Sequence, residues 1–206
     1  DFNTPEYIKD AAIQAVNDNY NSYSPVDGYA DLKDAICTKF KRDNNLQYKP
    51  SQIVVSTGAK QSIANLCMVL LNPGDEVLLP APYWVSYSAI ATLAEAKSII
   101  IPSSIETDFK ITPKQLEAAI TPKTKLIMFN SPNNPSGTIY TQTEYRALGK
   151  VLEKHPDIYI LSDEIYEHIN YGTPHFSIAA IPELYDRTIT VNGVAKAFAM
   201  TGWRIG

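Results

Sequence analysis

Lys196 stands between Val194-Ala195 and Ala197-Phe198. Apolar flanks of that kind disfavour an ammonium ion, lower its pKa and make the amine a candidate nucleophile. The plainer role is that of a surface lysine whose stem lies along apolar neighbours. Asp163 comes after the apolar run Ile158-Tyr159-Ile160-Leu161, where an ionised carboxylate is costly unless a cation or hydrogen-bond donors meet it. Its plainer role is a helix N-cap. Gly58 lies between an apolar run and a helical pattern, so it is either a simple turn or the opening of a helix whose free amides hold an anion. Arg204 is a surface cation or a bidentate partner for phosphate or carboxylate. Trp84, after Pro82-Tyr83, is core or a flat face for a planar ligand.

Alternating elements must bring such distant residues together. Pro5 and the apolar spacing Ile8, Ala11, Ala12, Ala15, Val16 predict a helix ending near Asn19, and Leu32, Ala35, Ile36, Lys39 and Phe40 predict a second one ended by Asn44-Asn45. From there short apolar runs alternate with helical patterns. Ile53-Val54-Val55, Val77-Leu78-Leu79, Ser98-Ile99-Ile100-Ile101, Leu126-Ile127-Met128-Phe129, Ile158-Tyr159-Ile160-Leu161 and Thr188-Ile189-Thr190-Val191 read as strands buried on both faces. Helices are expected after Gly58, from Tyr83 to Leu93, from Thr112 and from Thr141. Thr112-Pro113-x-Gln115 and Thr141 with Glu144 are capping-box patterns. The fold class is therefore α/β, a mostly parallel sheet flanked by helices, read as one domain over 1–206.

In such sheets ligands sit beyond the carboxyl ends of the strands. The residues at those positions are polar: Ser56-Thr57-Gly58, Asn130, Ser162-Asp163-Glu164, and Asn192-Gly193 with Lys196. We expect them to converge. An amine nucleophile, a buried carboxylate, an anion-binding helix start, an arginine and an aromatic plate are together the parts that hold pyridoxal phosphate.

Composition closes off other classes. The 206 residues are 45% hydrophobic and 19% charged, enough to bury a core. With 18 basic against 22 acidic side chains the net charge is -4, and no basic cluster suits a nucleic acid. No apolar stretch approaches the roughly 20 residues of a membrane span, and no signal-peptide pattern opens the chain, so a cytoplasmic protein is expected. Cys37 and Cys67 are expected to be buried thiols, and no metal site is expected. Asp1-Phe2-Asn3 at one end and Trp203-Arg204-Ile205-Gly206 at the other suggest a piece of a longer protein.

The residues resemble the class I, fold type I, pyridoxal-phosphate-dependent aminotransferases, and the aspartate aminotransferase group among them. Asn192-Gly193-Val194-Ala195-Lys196-Ala197-Phe198-Ala199-Met200-Thr201-Gly202-Trp203-Arg204 is similar to the family's lysine signature, which implies Lys196 as the Schiff-base lysine and Arg204 as a phosphate ligand. Asn130-Ser131-Pro132-Asn133-Asn134-Pro135-Ser136-Gly137 resembles the family turn in which Asn134 would bond the cofactor's phenolic oxygen and the substrate carboxylate. Ser162-Asp163-Glu164-Ile165-Tyr166 resembles the segment that supplies the ring-nitrogen carboxylate, Asp163, and a second bond to the phenolic oxygen, Tyr166. Trp84 would stack on the ring. Gly58-Ala59-Lys60-Gln61 is similar to the phosphate turn, with main-chain amides at Ala59 and Lys60. Tyr23 resembles the tyrosine that reaches the neighbouring site of a homodimer.

The resemblance implies ping-pong transamination, with L-aspartate and 2-oxoglutarate as substrates. Lys196 would carry the α-proton. It also implies an N-terminal segment and a C-terminal small domain, bearing the arginine for the substrate α-carboxylate, that this chain does not contain; 1–206 would be the cofactor-binding large domain, a poor catalyst alone. Ala195 departs from the serine many members carry before the lysine. Other specificities (aromatic amino acids, prephenate or alanine) and a lyase on the same cradle are the alternatives. A dinucleotide-binding domain would need a Gly-x-Gly-x-x-Gly pattern that is missing around Gly58.

Overall fold

The computed structural model describes residues 2–206 and divides into two compact units. One runs from Ile63 to Asn192 and the other takes the residues up to Ser62 together with Gly193–Gly206.

The Ile63–Asn192 unit holds a five-stranded sheet: β1 (Glu76–Pro80), β2 (Lys97–Ile101), β3 (Thr124–Asn130), β4 (Tyr159–Asp163) and β5 (Thr188–Val191). Its order is β2-β1-β3-β4-β5, and every neighbouring pair is parallel. The apolar runs of β1, β3 and β4 are buried on both faces, so no polar alternation is needed there; at the sheet edge β2 departs from that expectation, with Ile100 45% exposed, because among the described residues no further strand flanks it on that side, and β5 is only partly buried. Along β3, Leu126, Ile127, Met128 and Phe129 are all buried. One face, through Leu78, Ile127, Phe129 and Ile160, joins a core with Leu116 of α5 (Pro113–Ala119) and Tyr145, Leu148 and Leu152 of α6 (Gln142–Leu152). Both capping boxes form. Thr112 Oγ1 accepts the Gln115 amide while the Gln115 side chain accepts the Thr112 amide, and Thr141 and Glu144 repeat the exchange.

Strand order fixes where a ligand can enter. From β1 the chain crosses to β2 on one side, and from β3 to β4 on the other. The reversal opens a crevice at the carboxyl ends of β1 and β3. The loops leaving those two ends carry Trp84 and Asn134.

The other unit begins with α1 (Glu6–Asn17) and α2 (Ala30–Asn44), and Asn45 closes α2 in the left-handed conformation, as its sequence predicts. α3 (Ala59–Leu70) starts in this unit and ends in the other. The structure corrects three expectations. Ile53-Val54-Val55 is not a strand of the sheet: Val55 donates to Asp27 O at 3.1 Å, and Ser56 and Gly206 exchange backbone bonds. An apolar run alone does not distinguish a sheet strand from an extended segment with other partners. The helix expected from Tyr83 starts later, as α4 (Ser86–Leu93), because 81–84 form the loop leaving β1. Cys67 is fully buried, its thiol pushed up to about 11 by burial, but Cys37 is only half-buried. Among the described residues no helix is long and apolar enough to cross a membrane.

Candidate functional site

Within the Ile63–Asn192 unit the polar groups gather at the carboxyl ends of β1, β3 and β4. Asn130 and Asp163 end β3 and β4 as partners in register. Asn130 Nδ2 donates to Asp163 O at 2.9 Å, and Asn130 Oδ1 accepts the Asn134 amide at 2.7 Å. One strand-end asparagine thus ties the 131–137 turn to the end of β4. Asn133 Nδ2 bonds Pro82 O at 3.2 Å, which joins that turn to the loop carrying Trp84. Asn134 Nδ2 lies 3.5 Å from the Tyr166 hydroxyl, so the two groups that the resemblance assigns to the same cofactor oxygen are neighbours.

Asp163 is 4% exposed. Its Oδ1 accepts the Ile165 amide at 3.2 Å, the Asx turn expected of an aspartate at a strand end, although a turn rather than an α-helix follows. Oδ2 accepts the Tyr87 hydroxyl at 2.6 Å. Tyr87 lies on α4 at 1% exposure and packs edge-on against Trp84, with ring centroids 5.6 Å apart. Burial, then the Asp163 charge, pushes its phenol well above the ordinary tyrosine range. It remains a donor throughout the physiological range.

Behind this edge Glu164, Glu167 and His175 bring ligand-type atoms within 4.8 Å of one another. They form a buried hydrogen-bonded network. Glu164 accepts from Ser162 at 2.9 Å and Ser177 at 2.6 Å and meets His175 Nε2 at 3.0 Å, while Glu167 accepts from Asn192 at 2.8 Å.

In the other unit Gly58 takes φ +86 and leads directly into α3. Arg204 Nη1 donates to Thr201 O at 3.0 Å, and its Nη2 lies 3.5 Å from Thr57 O. The guanidinium then occupies the space that a Cβ on Gly58 would need. Reciprocal bonds between Ser56 and Gly206, at 2.7 and 3.0 Å, hold the two segments together. A side chain on Gly206 would run into the Ala59 amide, so glycine is required for that approach. The first amides of α3, at Ala59 and Lys60, and the Arg204 guanidinium are donors of the kind that could hold a dianionic phosphate.

Lys196 lies on the turn 194–199, which is closed by Phe198 N to Val194 O and Met200 N to Ala195 O and tied down by Thr4 Oγ1 on Ala199 O at 2.9 Å. The expected apolar enclosure is not found: Val194, Ala195, Ala197 and Phe198 are partly buried, but Lys196 is exposed. On a turn, sequence neighbours point away from one another and do not desolvate the side chain between them. Tyr23, on the loop after α1, is fully exposed at 106%.

The whole chain, residues 1–206, matches the family described as aminotransferase class I and II. The chain belongs to that family. It is 53% identical over 208 residues to the aspartate/prephenate aminotransferase of Nitrosomonas europaea, covering all of this chain and 52% of that protein. The structure of an aspartate aminotransferase from Rhizobium meliloti matches at TM-score 0.99 and 48% identity, over 100% of this chain and 52% of that one. An aspartate aminotransferase from Thermus thermophilus with maleate matches at TM-score 0.97 and 43% identity, over 100% and 53%. The chain therefore spans about half the length of the relatives it matches, and its parallel sheet flanked by helices is that of fold type I.

Taken separately, each group suits one part of pyridoxal phosphate: the Gly58–Arg204 donors could hold a phosphate, and in the other unit the buried Asp163, with Trp84, Asn134 and Tyr166, could hold a protonated aromatic ring. Sequence reading had missed Tyr87. The one available signal was a phenol one turn beyond Trp84, in a helix otherwise apolar on its buried side.

Proposed function

We propose that this chain is the cofactor-binding large domain, over 1–206, of a cytoplasmic, homodimeric, pyridoxal-phosphate-dependent aminotransferase acting on L-aspartate and 2-oxoglutarate by a ping-pong mechanism. The observation that carries the proposal is the family match along the whole chain. The dicarboxylate preference is supported by the maleate named for the Thermus relative, and prephenate, named for the Nitrosomonas relative, is the second oxo acid to test.

When bound, pyridoxal phosphate supplies an aldehyde that joins amines and a protonated ring that draws electrons from the bond breaking at the substrate Cα. The residues here divide the remaining work. Ala59 and Lys60 amides, Gly58 and Arg204 bind the phosphate, and the exposed Tyr23 of a second copy adds its hydroxyl. Trp84 covers one face of the ring. Asn134 and Tyr166 donate to the phenolic oxygen, and Asn134 also orients the substrate carboxylate. Asp163 accepts the proton-bearing ring nitrogen. Lys196 Nζ holds the cofactor and, once displaced by substrate, removes and returns the proton at Cα, a general acid–base role that contributes roughly 10²- to 10⁴-fold.

Amino-group transfer from aspartate to 2-oxoglutarate by the purified full-length protein, with prephenate, an aromatic oxo acid and pyruvate as competing acceptors, tests the reading. Transfer to 2-oxoglutarate at the highest kcat/KM supports it. A better rate with another acceptor would reassign the specificity, and elimination products would make the protein a lyase.

The cradle makes its own prediction. Gly58→Ala puts a methyl group into the guanidinium of Arg204 at a backbone angle that L-residues avoid. The affinity for pyridoxal phosphate, followed by fluorescence titration, is expected to fall about 10-fold or more, as when a charged hydrogen bond is lost. Unchanged affinity would mean that the phosphate is held elsewhere.

A further inference from the structure

We propose that Tyr87 is a positioning residue for the ring-nitrogen carboxylate: its hydroxyl, 2.6 Å from Asp163 Oδ2, keeps that carboxylate ionised and fixed in one orientation. The inference rests on the role given to Asp163 above. A carboxylate at 4% exposure has lost most of its water, and without donors it takes up a proton instead of holding a charge. The Ile165 amide meets Oδ1 at 3.2 Å, and Tyr87 meets Oδ2 at the shorter distance typical of an O–H donor on an anion.

Tyr87 is itself fixed. Its amide donates to Trp84 O at 3.0 Å, its ring lies edge-on to Trp84 at 89°, and its side chain is buried. A donor on Oδ2 makes the carboxylate less basic. A proton shared with a ring nitrogen then stays on nitrogen, which is the form that draws electrons. Removing the hydroxyl should let that proton move toward oxygen and leave a neutral pair. Tyr87 would thus set how much charge the ring carries without touching substrate.

The full-length holoenzyme, loaded with pyridoxal phosphate labelled with ¹⁵N in the ring, provides the test. Tyr87→Phe keeps the ring and its contact with Trp84 and removes only the hydroxyl. Its ¹⁵N signal should move toward the neutral-pyridine position, and kcat should fall about 10-fold with KM little changed, the scale of one hydrogen bond to a charged group. A lower melting temperature with the signal unmoved would make the contact merely structural and overturn the proposal. Should Tyr87→Phe not fold, 4-aminophenylalanine at the same position keeps the volume and a weaker donor. A smaller displacement in the same direction is then expected, and no displacement overturns the proposal. Asp163→Asn separates the two levels of inference. If it leaves the ¹⁵N signal in place, the assignment of Asp163 fails. If it moves the signal and the Tyr87 variants do not, that assignment stands and Tyr87 has no part in it.

Discussion

Lys196→Ala should abolish transamination in the full-length protein, with kcat falling by at least about 10⁴-fold, because a single side chain supplies both the amine that holds the cofactor and the base that moves the α-proton. The two losses are not independent, so their factors do not multiply. Binding of pyridoxal phosphate should survive in weakened form, since the Gly58 turn, Arg204, Trp84 and Asp163 remain. Lys196→Arg restores the positive charge but neither the nucleophile nor a base that can lose its proton, and should be as inactive as the alanine variant. Single-turnover rates with aspartate measure this directly. Rates within 10-fold of the wild type in either variant would place the chemistry on another amine.

Asp163→Asn is the second large effect. The amide keeps the volume, but its single oxygen can accept only one of the two donors that meet the carboxylate, the Ile165 amide on Oδ1 or the Tyr87 hydroxyl on Oδ2, and it brings no charge. A protonated ring then faces a neutral partner in a buried site, where such a loss is felt most strongly, and kcat should fall about 10²- to 10³-fold, the scale seen when a preorganised electrostatic partner is removed. KM should change far less, because the residue acts on the ring and not on the substrate. A variant with near-normal kcat would assign the role elsewhere.

The sequence made the sheet legible because its central strands are buried on both faces, and continuous runs such as Leu126-Ile127-Met128-Phe129 mark them. Thr112 and Thr141 marked their helices correctly because a capping box is a local device, complete within four residues. Ile53-Val54-Val55 looked the same as the true strands and is not one. Strand membership depends on a partner, and here the partners are Asp27 and Gly206, remote in sequence.

At the candidate site the burial of Asp163 could be anticipated from the apolar run before it. The exposure of Lys196 follows the plainer of its two readings, that of a surface lysine; the apolar enclosure fails because on the 194–199 turn its apolar neighbours do not surround it. Tyr87 was invisible for a related reason. In sequence it is one aromatic among apolar residues, and only the packing of α4 against β1 and β2 brings its hydroxyl to the end of β4. Asn130 was visible as a polar strand end, yet its work is indirect: it orders the turn bearing Asn134 and accepts no role of its own in the chemistry.

Reduction of the cofactor-loaded full-length protein with borohydride, followed by peptide mapping in a mass spectrometer, tests the central claim most directly. Reduction fixes the cofactor permanently on the amine that holds it. The account predicts the reduced adduct on the peptide containing Lys196 and on no other lysine. An adduct on Lys60, or on any lysine other than Lys196, would contradict it.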